Sequence, residues 1–179
     1  MEYSYKTSGT CSREIAFEIE DGKVTRKNQW GRGTAQMFAS VSPAMHDEFE
    51  IEYAKEYFDG FGLVYYGCCD RLDDRLPIID RMPKIRKISC SPWSDREHFA
   101  AVLPRKYIMS NKPNPSYLAQ ISFDEDVVRA DLRRTIKAAK ENGLCLEFLL
   151  KDITTVKNEP LRLDRWHAIV KEEIERFGL

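Results

Sequence analysis

No run in this chain approaches the roughly 20 consecutive apolar residues that a membrane-spanning helix requires. Basic residues are not in excess: 28 lysines and arginines stand against 29 aspartates and glutamates, a formal net charge of -1. That balance gives no electrostatic footing for nucleic acid or an anionic membrane surface. Histidine is scarce, with three residues, so a metal centre built from imidazoles is short of ligands. Cysteine is present but unpatterned. Cys11, Cys68, Cys69, Cys90 and Cys145 form no regular framework, and Cys90 and Cys145 sit inside apolar runs where a free thiol packs as a small hydrophobe. A reducing cytoplasm is the expected compartment. Met1-Glu2-Tyr3-Ser4 lacks the basic and apolar regions of a secretory leader, so no secretory signal is expected. The 179 residues suit one domain with a core of its own.

Four apolar runs, each ending in a polar loop, organise the rest. Leu63-Val64-Tyr65-Tyr66 breaks at Gly67 into Cys68-Cys69-Asp70. Ile85 to Cys90 runs into Ser91-Pro92-Trp93-Ser94-Asp95, and Lys106 to Ser110 into Asn111-Lys112-Pro113-Asn114. Leu144 to Leu150 runs into Lys151-Asp152-Ile153-Thr154-Thr155. Such runs have strand composition, and an α/β fold presents its chemistry at the carboxyl ends of its strands.

Ahead of them, Tyr3, Tyr5 and Thr7, then Ile15, Phe17 and Ile19, alternate with polar residues, with Asp21-Gly22 as a turn. This predicts a short antiparallel hairpin over residues 1–29. Lys27 to Thr34 reads as a polar join, with Gly31-Arg32-Gly33 as linker in preference to a phosphate loop. Ser42-Pro43 opens a helix, serine as N-cap and proline in the first turn. Met45, Phe49, Tyr53 and Tyr57 recur every four residues and predict the face that meets a sheet, leaving His46 solvated. Pro77 keeps any helix among residues 71–82 short or kinked. Ser94-x-x-Glu97 and Ser122-x-x-Glu125 read as capping boxes. The second opens the longest helix, with Val128, Leu132, Ile136 and Ala139 inward. The last helix starts near Pro160 with Leu163, Trp166, Val170, Ile174 and Phe177 as its stripe; His98 and His167 fall on surface positions.

Strand, polar loop and helix, repeated four times, predict a right-handed α/β arrangement over residues 35–179. The expected fold is a partial TIM-barrel-like sheet of about four parallel β/α units, preceded by the hairpin.

Two resemblances accompany these patterns. Thr7-Ser8-Gly9-Thr10-Cys11-Ser12-Arg13-Glu14-Ile15, with Phe17 to Val24, resembles the opening of the small TSCPD domain, which occurs alone or at the end of some ribonucleotide reductases. The likeness stops near Val24 and carries no function with it. From Ala35 the chain resembles the C-terminal half of the uroporphyrinogen decarboxylase-like superfamily, which includes corrinoid-linked methyltransferases and is a TIM barrel throughout. The matching marks are Phe38 to Phe49, Tyr66-Gly67-Cys68-Cys69-Asp70, Ser89-Cys90-Ser91-Pro92-Trp93, Ser110-Asn111-Lys112-Pro113-Asn114-Pro115 and Leu149-Leu150-Lys151-Asp152. The resemblance implies a decarboxylase or methyltransferase acting on a small carboxylated or methylated substrate. Its methyltransferase members bind zinc through a His-x-Cys at a strand end and a later cysteine. Here those places read Tyr66-x-Cys68 and Lys151-Asp152, so zinc is possible but doubtful and the cofactor stays unknown. A complete member would also carry the amino-terminal half of the barrel. The alternative expectation is a truncated or fused, non-catalytic module that self-associates, as a homodimer or with a missing half-barrel partner.

The residues themselves leave several roles open. Cys68 and Cys69 are each a possible nucleophile or soft ligand, or else one packs inward and the other is inert. Adjacent residues point to opposite faces, so one of them serves a site and Cys68 is the expected one. Asp70, Asp95 and Asp152 are acids or bases, or caps of helices and loops. Trp93 floors a pocket for a planar substrate or closes the end of the sheet. Lys112 and Lys151 clamp a carboxylate or phosphate, or are surface lysines. The expected site has Cys68, Asp70 and Asp152 as its catalytic groups and Trp93, Lys112, Asn114 and Lys151 as its substrate contacts, with no metal ligands.

Overall fold

Seven strands lie side by side in the same order in which they occur in the chain. The computed structural model describes residues 2–6 and 14–178. Cys11 and Thr7, and the alternating side chains Tyr3, Tyr5, Ile15 and Phe17, lie outside what is described. Strands β1 (Glu2–Lys6) and β2 (Glu14–Glu20) pair antiparallel, as do β2 and the start of β3 (Lys23–Gly33). From β3 onward every neighbour is parallel: β4 (Phe61–Tyr66), β5 (Ile85–Cys90), β6 (Ile108–Asn111) and β7 (Cys145–Phe148).

The parallel sheet therefore has five strands, one more than the sequence pattern predicts. The extra strand is the stretch Lys27 to Gly33, expected to be a linker. It hides because it is polar and glycine-bearing, yet Arg32 and Gly33 pair in register with Tyr65 and Tyr66. A side chain at Gly33 would overlap the Phe58 ring, so the glycine makes room for an aromatic packed against the strand. Because β3 runs unbroken from the antiparallel strands into the parallel set, β1 and β2 extend the sheet at its edge.

Each parallel connection carries a helix, and one direction of travel with one crossover hand sets the helices on one face. That face holds the main core: Val64, Tyr66, Ile88 and Met109 against Phe58, Ile79, Phe99, Ala138 and Ala139. A second cluster joins Leu118 of helix α5 (Ser116–Ala119) and Val128 and Leu132 of helix α6 (Glu125–Glu141) to Trp166, Ile169 and Val170 of helix α7 (Leu161–Arg176). Alternation sends the other residues of each strand to the opposite face. There Trp30, Leu63 and Cys145 are exposed, and Lys87 bonds Glu147 at 2.5 Å.

The first helix departs from its expected orientation. Helix α1 (Pro43–His46) passes through a π-helical turn, Asp47–Ile51, into helix α2 (Glu52–Asp59). Ser42 caps it as expected, accepting from the Met45 amide at 3.2 Å. The stripe Met45, Phe49, Tyr53 and Tyr57 faces outward, with Tyr53 72% exposed, whereas His46, Ile51 and Phe58 are buried. A π-turn holds an extra residue, so it shifts which positions meet the sheet. Hydrophobic spacing alone picks the wrong face, and His46 is in the interior.

Pro77 lies in the short helix α3 (Leu76–Ile79), as expected. The predicted capping boxes are displaced. Asp95 caps helix α4 (Arg96–Val102) and Asp124 caps α6, each accepting backbone amides with its carboxylate. Aspartate caps as well as serine, and its charge suits the positive helix end. Glu97 and Glu125 instead bond Arg134 and Arg165. The inward positions Val128, Leu132, Ile136 and Ala139 are buried as predicted, while in α7 Leu163 is exposed and Ile169 is buried.

Candidate functional site

The strand ends of β4 to β7 open onto a common mouth. After β4, the Gly67 amide donates to the Gly33 carbonyl at 2.9 Å, keeping the loop close to the sheet. The Cys68 amide donates to Ser89 Oγ at 2.7 Å. Its carbonyl accepts from Ser89 Oγ at 3.1 Å and from Lys112 Nζ at 2.5 Å. Gripped on both sides, Cys68 is buried, with its thiol towards Asp70 Oδ2 at 3.7 Å.

Cys69, one residue on, is exposed. Lys151 Nζ donates to its sulfur at 2.6 Å, and the thiol donates to Asp152 Oδ2 at 3.2 Å. The loop after β4 thus reaches across β5 and β6 to the loop after β7. Asp152 takes up a left-handed backbone conformation, φ 59°, which aspartate tolerates better than most residues.

Charge at this mouth is mostly positive. Burial pushes the Lys112 amine below its usual range, and the cations Lys151 and Arg32 push the same way. The hydrogen bond to Cys69 raises Lys151, with Asp152 adding to it. Asp152 is lowered in turn by its bond from Cys69, then by Lys151 and Lys112. Among the described residues, neither Arg32 nor Lys112 has a carboxylate in ion-pair contact. Beside them Tyr65 takes a 3.3 Å hydrogen bond from Ser110, and burial raises its phenol. An arrangement with three cations and one carboxylate is suited to an anion.

Asp70 and Trp93 line a neighbouring cleft of about 590 Å³, with Ala39, Ser40, Val41, Arg71, Asp74 and Arg75. Trp93 is 65% exposed there. Arg75 is buried and donates to the carbonyls of Ala39 and Val41 at 2.9 and 2.5 Å, which pins the segment before α1. Asn114 accepts from the Ser116 amide at 3.0 Å, a local turn interaction. Of the seven expected site residues, Lys151 and Asp152 meet directly, Lys112 and Cys68 adjoin them, Asp70 and Trp93 share the cleft, and Asn114 serves its own loop.

Cys69 is the member that sequence reasoning passed over in favour of Cys68. Two adjacent cysteines differ only in which side of the chain each presents, and composition carries no signal for that. Arg32 escaped with the strand that bears it. A third group joins His46 and Tyr66, both buried at the β4 end, to the half-buried Glu50. Tyr66 OH donates to Glu50 Oε2 at 2.6 Å, and His46 Nε2 lies 2.6 Å from the same oxygen and 2.9 Å from the phenol. The i, i+4 spacing of His46 and Glu50 is legible in the sequence, but the burial of His46 against Tyr66 is not.

The donors do not suit the zinc of the methyltransferase template. Cys68 faces Asp70 while Asp152 is bound to Cys69, and His46 is committed to Glu50 and Tyr66. Among the described residues, no three His, Cys, Asp or Glu side chains are grouped to hold a metal. Comparison with protein-family models, with curated proteins and with solved structures returns no match.

Proposed function

We propose that this chain is a uroporphyrinogen decarboxylase-like α/β unit that binds a small carboxylated or methylated substrate at the carboxyl ends of its parallel strands, for decarboxylation or methyl transfer. The supporting observation is the meeting of Cys69, Lys151 and Asp152 from two separate strand ends, beside Lys112 and Arg32. Lys151 and Arg32 hold the substrate carboxylate. The adjoining cleft, with Trp93 on its wall and Asp70 at its edge, receives the remainder.

Loss of carbon dioxide leaves an electron pair on carbon that has to be stabilised and then protonated. Lys151, kept cationic by Cys69 and Asp152, provides positive charge and a proton at one place. For methyl transfer, the reactive group is the exposed Cys69 sulfur in preference to the buried Cys68.

The experiment is a thermal-shift titration with acetate, succinate and citrate, on the wild type and on Lys151→Ala and Arg32→Ala. A saturable upward shift with the larger carboxylates, lost in both variants while their unliganded melting temperatures hold, is expected. No shift with any of the three in the wild type sinks the proposal.

A second reading rests on the open sheet face, where Trp30 and Leu63 are 50% and 41% exposed. A parallel sheet is ordinarily covered on both faces. In this reading a second copy of the chain covers the open one, and the module acts through self-association.

A further inference from the structure

Cys69 and Lys151 face each other across the mouth of the sheet, 82 positions apart in the chain, with Nζ 2.6 Å from Sγ. Cys69 is exposed, whereas Cys68 is buried with its thiol on Asp70. An oxidant in solvent therefore meets the Cys69 sulfur, and the amine already in contact with that sulfur is Lys151. Asp152 touches both partners, 3.2 Å from the sulfur and 3.4 Å from the nitrogen.

We infer that Cys69 and Lys151 form an oxidative modification site, in which a peroxide converts Cys69 to a sulfenic acid and Lys151 captures it as a covalent sulfur–nitrogen cross-link. In the first step the thiolate, which is the nucleophile, attacks one peroxide oxygen. A sulfur–oxygen bond forms and the oxygen–oxygen bond breaks. Sulfur is oxidised, the peroxide is reduced, and water leaves with the thiol proton. In the second step the Lys151 ammonium loses one proton to solvent and its free amine attacks the sulfur. The sulfur–nitrogen bond forms as the sulfur–oxygen bond breaks, and the departing hydroxide takes the second nitrogen proton and leaves as water. The oxidation level does not change further.

The geometry supplies what each step needs: an accessible sulfur and an amine in contact with it, with Asp152 holding that amine at the sulfur. A sulfenic acid with no partner is open to irreversible over-oxidation, whereas a captured one is restored by thiols. The cross-link ties the loop after β4 to the loop after β7 and removes the Lys151 positive charge from the mouth. It calls for no bound substrate, so it stands or falls separately from the function proposed above.

The test treats the folded full chain with one equivalent of hydrogen peroxide and follows intact mass and peptide maps. The expected product has lost two hydrogens, yields a linked Cys69–Lys151 peptide, and reverts with dithiothreitol. Cys68→Ser should form it equally well. Lys151→Arg, which keeps the charge but has no comparable nucleophile, should stop at a dimedone-reactive sulfenic acid. Urea-unfolded protein should lose at least nine-tenths of the linked peptide. A Cys68–Cys69 disulfide as the product, oxygen gain at Cys69 without cross-linking, or equal yield in the unfolded chain overturns the inference.

Discussion

Tyr66 and His46 meet in the interior, the phenol oxygen 2.9 Å from imidazole Nε2, with Glu50 Oε2 2.6 Å from each. Because the phenol proton goes to Glu50, Nε2 has to be the donor towards both oxygens. Nδ1 is then left buried without a hydrogen bond, and the Phe38 ring is stacked on the imidazole at 5.7 Å. The group joins the π-turn to the last residue of β4, directly before the loop that carries Cys69.

Tyr66→Phe should cost about 1–3 kcal/mol, because the Glu50 acceptor and the buried His46 donor lose a shared partner while the ring stays in place. Urea unfolding followed by circular dichroism gives the number. A variant as stable as the wild type would mean that water replaces the phenol oxygen at no cost.

Glu173 is buried between Arg133 and Arg129, with contacts of 2.7, 2.8 and 2.9 Å, and these hydrogen bonds, Arg133 first, hold its carboxyl down to about 2. A carboxylate depressed in the folded state stabilises fully above its unfolded value. That contribution fades as pH falls towards the folded value. Glu173→Gln should therefore be less stable by about 2–3 kcal/mol at neutral pH. The gap should narrow below pH 4.5, the ordinary glutamate value, and be nearly closed at the acid end. Chemical unfolding at successive pH values checks it; a gap independent of pH would assign the loss to packing.

A methyl group on Gly62 would overlap the Lys27 carbonyl oxygen across the β3–β4 pair, where the register shifts between Arg26 and Trp30. The neighbour is backbone and has little room to give. Gly62→Ala should cost about 3 kcal/mol by prying the two strands apart. The measurement is the shift in urea midpoint, with amide exchange of β3 expected to accelerate more than that of β6.

If a second copy covers the open sheet face, Leu63→Lys should abolish it. Sedimentation at micromolar concentration is expected to give a dimer for the wild type and a monomer for the variant. A wild-type monomer that binds no hydrophobic dye removes the second reading.

The sequence by itself determined the parallel α/β class, the strand positions of β4 to β7 and the inward face of α6. These follow from local periods, 2 in strands and 3.6 in helices, which a chain displays without its fold. It also placed Lys112, Lys151 and Asp152 at strand ends, since those ends are where apolar runs break. Tertiary structure decided the rest. Gly31 and Gly33 read as breakers until the Phe61 and Phe58 rings fill the space they leave. The spacing of four in Met45, Phe49, Tyr53 and Tyr57 pointed to the wrong face because a π-turn changes the angular step. Between two adjacent thiols, only the path of the loop selects the exposed one. Cys69 reaches Lys151 and Asp152, 82 and 83 positions later, through the order of the strands and the grip on the Cys68 peptide, and no local pattern encodes either.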